Sequence, residues 1–282
     1  MHVLLVPNTG NAAAVAAATE LTTWLMGQGL EPVLSQADAD AAGLSRFGGS
    51  PADVGDLVLT IALGGDGTIL KAVHLLDGAE VPVLGVKFGR LGFLSGSDPQ
   101  HMREAVETAL AGEARIERRA TLRAEVVMDG RSVGSYLALN EVVVSRGPSG
   151  RVVALDLSVD GHRIMSTRAD GIVVATATGS TAYALSAGGP VVAPGFGGMV
   201  VVPVAPHTLQ SRAIVTDMND TIEITLPDPS RADACLVVDG DPTPCRRSLE
   251  RVTVTRGGTD VLLVKLEGRH FYETLSAEFF RS

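Results

Sequence analysis

The sequence predicts a two-domain protein, an N-terminal α/β domain on an open, mostly parallel sheet followed by a β-rich C-terminal domain. Two patterns predict it. Over the first hundred residues, short apolar runs alternate with helix-like segments. From Thr121 onward, apolar residues recur at every second position and Asp-Gly pairs punctuate them. A length of 282 residues accommodates two domains at roughly 100–200 residues each.

His2 to Val6 reads as a short strand, and Asn11 can cap a helix from Ala12 to Gln28 that Gly27 and Gly29 bring to an end. Glu31 to Ser35 is a second candidate strand. Leu57 to Leu63 is an uninterrupted apolar run, suited to a parallel strand covered on both faces. Thr68 to Leu76 follows as a helix and Val81 to Val86 as a further strand. In the second region Leu122, Ala124, Val126 and Met128 alternate with more polar neighbours. Val153, Leu155, Leu157 and Val159 do the same, as do Ile222, Ile224 and Leu226. Asp129-Gly130, Asp160-Gly161 and Asp239-Gly240 follow such runs as hairpin turns do. Arg269 to Ser282 has a helical pattern that lets Phe271, Leu275, Phe279 and Phe280 share a face.

Composition narrows the function classes. Aromatic residues make up only 4 %, so Val, Leu, Ile and Ala must fill the core. A net charge of −9 argues against a broad nucleic-acid surface or an anionic membrane partner, since both reward clustered Lys and Arg. It leaves room for a small phosphate ligand. Cys235 and Cys245 match no common metal spacing and read as reduced residues of a cytoplasmic protein. No signal peptide is expected, and no apolar run approaches a membrane span.

Gly64-Gly65-Asp66-Gly67-Thr68 lies between a buried strand and a helix. Glycines permit close backbone approach, and the free N–H groups of a helix start favour an anion. It is neither a Walker loop nor a Gly-x-Gly-x-x-Gly. Asp66 is the unusual member, because a carboxylate repels phosphate unless it binds a cation or accepts a proton from an attacking hydroxyl. Lys71, about one helical turn further, could balance its charge. The plainer alternative is a turn with Asp66 as a helix cap.

Asn140-Glu141 interrupts an apolar run expected as one strand, Tyr136 to Val144. Two polar residues in a buried strand call for a ligand, whereas at a strand end they call for nothing. Further on, Arg168-Ala169-Asp170-Gly171 leads into the strand Ile172 to Ala175 and then into Thr176-Ala177-Thr178-Gly179-Ser180-Thr181-Ala182-Tyr183-Ala184-Leu185-Ser186-Ala187-Gly188-Gly189-Pro190. Capping a helix needs one hydroxyl, and Thr178 to Ser186 holds five in nine positions. Such donors can grip ribose or phosphate oxygens.

These segments, in this order, resemble the signature motifs of NAD kinases. Gly89-Arg90-Leu91-Gly92-Phe93-Leu94, Pro206-His207 and the Asp239-Gly240 turn extend the resemblance over roughly residues 2 to 280. The Gly-Gly-Asp-Gly-Thr loop is shared with diacylglycerol and sphingosine kinases, while Thr178 to Tyr183 is the more specific stretch. The resemblance implies an NAD kinase-like two-domain fold. Its expected division is residues 1–118, rejoined by a tail of 268–282, and residues 119–267, with NAD in the cleft between. It implies phosphoryl transfer from ATP, another nucleotide or polyphosphate to the 2′-hydroxyl of the adenosine ribose, giving NADP. It also implies a divalent cation, Mg²⁺, held mainly by the phosphates, and a homodimer or homotetramer whose neighbouring subunit contributes to the site.

Carried over residue by residue, the resemblance makes Asp66 the proton acceptor and sets Gly67 and Phe93 at the adenosine end. Asn140 and Glu141 hold ribose hydroxyls. Lys71, Arg151, Arg168 and Asp170 bind nucleotide, some of them across a subunit interface. Thr178 and Thr181, Ala182, Tyr183, Ala184, Leu185 and Ser186 contact the dinucleotide, and Ala205 lines the same pocket. Asp241 stands where relatives commonly carry Gln, Ala177 where Pro is usual, and Lys87 where Asn is often found. A lipid kinase of the diacylglycerol type and a non-catalytic NAD(P) sensor are the rival readings.

Overall fold

A computed structural model describes residues 1–89, 92–208, 210–230, 232–243, 248–266 and 270–280. Cys245, Arg90, Leu91 and the ends of the segment from Arg269 to Ser282, all named above, lie outside the described residues. The chain forms two compact units, Met1–Arg118 with Asp260–Ser282, and Arg119–Thr259.

The first unit is built on a seven-stranded sheet. Its spatial order is Gly48–Gly49, Glu31–Ser35, His2–Pro7, Leu57–Gly64, Val83–Lys87, Val261–Lys265 and Arg115–Arg119. The pairs from Gly48–Gly49 across to Val261–Lys265 are all parallel. Helices Ala12–Gly27 and Asp66–Leu76 connect strands, and Asn11 caps the first by accepting from the N–H groups of Ala13 and Ala14. The core is aliphatic, with Val3, Leu5, Leu21, Leu25, Ile61, Leu63 and Leu84 wholly buried. Each such side chain stabilises the fold by about 1.5–3 kcal/mol relative to leaving it exposed.

Strand Val261–Lys265 pairs in parallel with Val83–Lys87. The chain therefore re-enters the first unit at Asp260, eight residues ahead of the expected tail, because its last strand completes that sheet before the helix begins. Helix Phe271–Phe279 follows. Phe271 and Phe279 both pack on Phe93, whereas Phe280 lies beyond the helix and is exposed.

Strand order reverses at His2–Pro7. The chain runs outward from it through Glu31–Ser35 to Gly48–Gly49 and then returns to its other side with Leu57–Gly64. At such a switch point the loops leaving adjacent carboxyl ends diverge and leave a crevice for a ligand. The two loops here are Asn8 to Asn11 and Gly64 to Gly67.

The second unit is a sandwich of two antiparallel six-stranded sheets. One orders His162–Ala169, Val153–Val159, Ile222–Thr225, Leu249–Arg256, Leu122–Met128 and Arg131–Ala138. The other orders Ile214–Asp217, Gly198–Val204, Gly171–Ala175, Glu141–Arg146, Ala234–Val238 and Asp241–Pro242. Leu122, Val126, Leu155 and Val252 from the first meet Val142, Val144, Ile172 and Leu236 from the second in one core. On the outer face of the second sheet, Val173, Val200 and Val202 pack with Ala184 of the helix Tyr183–Ser186. Coverage on both faces is why Gly171–Ala175 is buried throughout rather than alternating.

The three Asp-Gly pairs each form a two-residue hairpin loop. Both residues take positive φ, as at Asp129 (48°) and Gly130 (70°), which matches the twist of the flanking strands. The single strand expected from Tyr136 to Val144 is two strands. Arg131–Ala138 belongs to one sheet and Glu141–Arg146 to the other, with Leu139 and Asn140 crossing between them.

Candidate functional site

The Gly64 to Thr68 loop occupies the carboxyl end of its strand at the switch point. Gly64 is obligatory there, since a Cβ would overlap the Thr68 side chain and crowd Asn8. Gly65 stands just before the helix and carries no side chain to cap it. Asp66 does not cap its helix. Its carboxylate turns aside and accepts from the backbone N–H groups of Phe93 at 2.8 Å and Leu94 at 3.3 Å. Gly92 makes this approach possible, because a Cβ on it would overlap Asp66 Oδ1. Gly67 is exposed and has open space beside it. A carboxylate is thus fixed next to an exposed helix start at the switch point of the first unit.

Lys71 pairs with Asp38, not with Asp66. Asp38 is buried at the start of the short helix Gln36–Ala41, where it also accepts from Ser35 Oγ at 2.8 Å. The cation is thereby fixed about a turn along the helix from Asp66.

In the second unit the crossing at Leu139-Asn140 is organised by Asp239. This buried carboxylate accepts from the backbone N–H groups of Leu139 at 2.8 Å, Asn140 at 2.7 Å and Glu141 at 3.0 Å. Thr176 closes the other side. Its hydroxyl donates to the Leu139 carbonyl at 2.7 Å, and its N–H donates to the Asn140 carbonyl at 2.9 Å. Asn140 and Glu141 are both buried, and Glu141 Oε2 has no hydrogen-bond partner among the described residues. Burial first, and the Asp239 charge second, push the Glu141 carboxyl up to about 7, opposed by a hydrogen bond from the Tyr183 N–H.

The hydroxyl-rich stretch divides into two uses. Thr176 and Ser180 work internally, Ser180 Oγ donating to Ala177 O at 2.7 Å and accepting from Val192 N at 3.0 Å. Thr178 accepts from the buried Arg119 guanidinium at 3.1 Å. Thr181 and Ser186 are partly or fully accessible, and the Tyr183 ring is 44 % exposed. Ala184 turns inward into the apolar cluster, while Ala182 and Leu185 are half-buried. Gly179 presses against the Asn140 carbonyl so closely that a Cβ would overlap it. Asn140-Glu141 and Thr178 to Tyr183 therefore form one patch.

Arg168, Asp170 and Ala205 form another. Asp170 N–H donates to Val204 O at 3.0 Å, His207 N–H to Arg168 O at 2.7 Å, and Asp170 accepts from Arg146 Nε at 2.9 Å. This group stands at the start of strand Gly171–Ala175 and the Thr178 group just past its end, about 17 Å apart at the rise of an extended strand. Arg151 is exposed in the loop that carries Ser149 and Gly150, and Asp241 is exposed just after the Asp239-Gly240 turn. Arg119 and Asp38, which neighbour these groups, carry no signal in the sequence, and Asp239 is expected there only as part of a hairpin turn. The one advance signal was Asp239, an acidic residue directly following an apolar run.

Among the described residues no three His, Cys, Asp or Glu side chains converge on a common point.

Residues 51–114 match the ATP-NAD kinase N-terminal domain and residues 139–266 the ATP-NAD kinase C-terminal domain. An NAD kinase from Thiobacillus denitrificans is 38 % identical over 272 residues, covering 95 % of this chain and 91 % of its own. The crystal structure of a yeast NADH kinase complexed with NADH superposes with a TM-score of 0.88 at 25 % identity, covering 99 % of this chain and 87 % of that one. An NAD kinase from Archaeoglobus fulgidus in complex with ATP gives 0.73 at 26 %, covering 98 % of both.

Proposed function

The chain belongs to the NAD kinase family, and we propose that Asp66 is the acceptor of the proton that the ribose hydroxyl of NAD loses as it is phosphorylated. The enzyme is a kinase that phosphorylates NAD to NADP with ATP as donor. In the proposed step the 2′-oxygen of the adenosine ribose forms the new O–P bond, the bond between the γ-phosphorus and the bridging oxygen breaks, ADP leaves, and the proton passes to Asp66. The observation that carries this reading is the Asp66 carboxylate held aside from its helix by the Phe93 and Leu94 amides, next to exposed Gly67. Free N–H groups at that helix start suit the transferring phosphoryl group.

Glu141 supports the same reading from the second unit. Its buried Oε2 lacks a partner, and a ribose hydroxyl supplies one. Asn140 shares that role, and Thr178, Thr181, Tyr183, Leu185 and Ser186 border the rest of the dinucleotide. A divalent cation, Mg²⁺, held mainly by the donor phosphates would neutralise charge on the transferring group. Lys71, Arg151, Arg168, Asp170, Ala205 and Asp241 complete the nucleotide contacts in a homodimer or homotetramer. The separation of the Arg168 and Thr178 groups along one strand favours their serving two copies of the site. The sparse cysteines suit a cytoplasmic enzyme, and no helix among the described residues is long and apolar enough to cross a membrane.

The test is direct. Protein, ATP, Mg²⁺ and NAD should yield NADP. Asp66→Asn should lose roughly 10²–10⁴-fold in turnover, the contribution of a positioned base, while NAD binding measured calorimetrically persists. Turnover within twofold of wild type would exclude Asp66 as the proton acceptor.

A further inference from the structure

We propose that Lys265 is a positioning residue for Asp66, acting through the backbone of the Phe93 to Ser95 turn. The proposal rests on the reading of Asp66 as proton acceptor and goes beyond it. Lys265 ends the strand Val261–Lys265, a run of four apolar residues closed by one charge. Its ammonium is half-buried and donates to three successive carbonyls, Phe93 O at 3.4 Å, Leu94 O at 3.0 Å and Ser95 O at 3.3 Å. The N–H groups of Phe93 and Leu94 in that turn hold the Asp66 carboxylate.

A single peptide unit shows the coupling. Its carbonyl, on Phe93, accepts from Lys265, and its N–H, on Leu94, donates to Asp66 Oδ1. A cation on the carbonyl side polarises that peptide and strengthens the hydrogen bond its N–H gives. It also fixes the plane of the peptide, so the N–H stays aimed at the carboxylate. The helix after Lys265 reinforces the turn, since Phe271 and Phe279 pack on the Phe93 ring at 5.8 and 6.1 Å between centroids.

The chain thus returns to its first sheet with a function as well as a packing role. Strand Val261–Lys265 delivers the ammonium, and helix Phe271–Phe279 seats the aromatic ring. Both act on the turn that orients Asp66. Loss of Lys265 should loosen the carboxylate without removing it, and should lower kcat more than it raises KM for NAD.

Lys265→Met, Lys265→Gln and Lys265→Arg test this in the full-length enzyme, each alone and combined with Asp66→Asn. Thermal unfolding is followed in parallel. Lys265→Met should lower kcat on the order of tenfold, equivalent to one charge-assisted hydrogen bond, with KM for NAD changed less than about twofold. Lys265→Arg should restore most of the rate. In the Asp66→Asn background the same Lys265→Met change should alter the residual rate less than about twofold, because the two residues act in series. Should the Met variant fail to fold, Lys265→Gln, which keeps N–H donors without the charge, is read by the same criteria. Wild-type kcat in Lys265→Met or Lys265→Gln beside an inactive Asp66→Asn overturns the role of Lys265 alone. So does an equal loss with and without Asp66, or a fall in stability that accounts for the lost rate. Near-normal turnover in Asp66→Asn overturns the proton-acceptor reading and this inference together.

Discussion

Asp239 acts on Glu141 twice, accepting its backbone N–H at 3.0 Å and opposing the ionisation of its side chain. The first interaction sets where the Glu141 backbone lies. The second, added to burial, sets its charge. Both come from a residue that also forms a hairpin turn at a φ of 49°, a conformation Asp and Asn tolerate better than other side chains.

Asp239→Asn tests the backbone role. Asparagine keeps the turn conformation and one carbonyl oxygen for Asn140 and Glu141. Its amide group, however, would face the Leu139 N–H donor to donor. Leaving one buried donor unmet costs about 1–3 kcal/mol, so urea unfolding should show a loss in that range. A stability equal to wild type would mean the hydrogen bond from the Leu139 N–H carries no net weight.

Glu141→Gln tests the charge. The folded carboxyl is pushed up to about 7 from an ordinary 4.5, so between those values the folded protein keeps a proton that the unfolded chain releases. Its contribution to stability is full below the ordinary value and declines as pH rises through the folded one. Wild-type stability measured against the Gln variant should therefore fall by about 3 kcal/mol across that window and then level off. An equal pH dependence in both proteins would place the titration elsewhere.

The pattern of residues foretold the parts of the fold that short-range rules decide. Val153, Leu155 and Leu157 alternate because their strand has one face in a core, and Asp129-Gly130 forms a tight hairpin because both residues accept positive φ. Pairing between distant segments left no such mark. Val261–Lys265 is apolar in a way that fits either unit, and its partner Val83 lies far back in the chain. Tyr136 to Val144 looked continuous because apolar residues stand in both halves, although the first ends a mostly exposed strand and the second begins a buried one. The break depends on a carboxylate at Asp239, 98 to 100 positions away. Within the site, Asp66 stood out as a carboxylate in a glycine-rich phosphate loop and Glu141 as a charge in an apolar run. Lys265 and Arg119 did not, since the backbone carbonyls and the Thr178 hydroxyl to which they donate are brought close only by folding.

Gly92→Ala should separate the placement of Asp66 from its chemistry. The new methyl group overlaps Asp66 Oδ1 and forces the carboxylate away from the Phe93 and Leu94 amides, yet every titratable group remains. The expected outcome is a loss of kcat on the order of a hundredfold, the lower end of the effect of a positioned base, with the protein still folded by circular dichroism. Full activity would show that Asp66 needs neither amide.

Gly179→Ala probes the patch in the second unit. Gly179 lies against the Asn140 carbonyl, which also accepts the Thr176 N–H at 2.9 Å, so a methyl group there displaces Asn140 and with it the orientation of Glu141. Backbone on one side and a buried hydroxyl network on the other leave little room to relax, and overpacking of this kind costs about 1–3 kcal/mol. If Asn140 and Glu141 hold the ribose, that cost appears as a KM for NAD raised on the order of tenfold, with KM for ATP nearly unchanged. Gly195→Ala is the control, because its Cβ meets open space, and it should leave both values as they are. Equal rises in the two KM values would place the Asn140 region in general folding rather than in recognition of NAD.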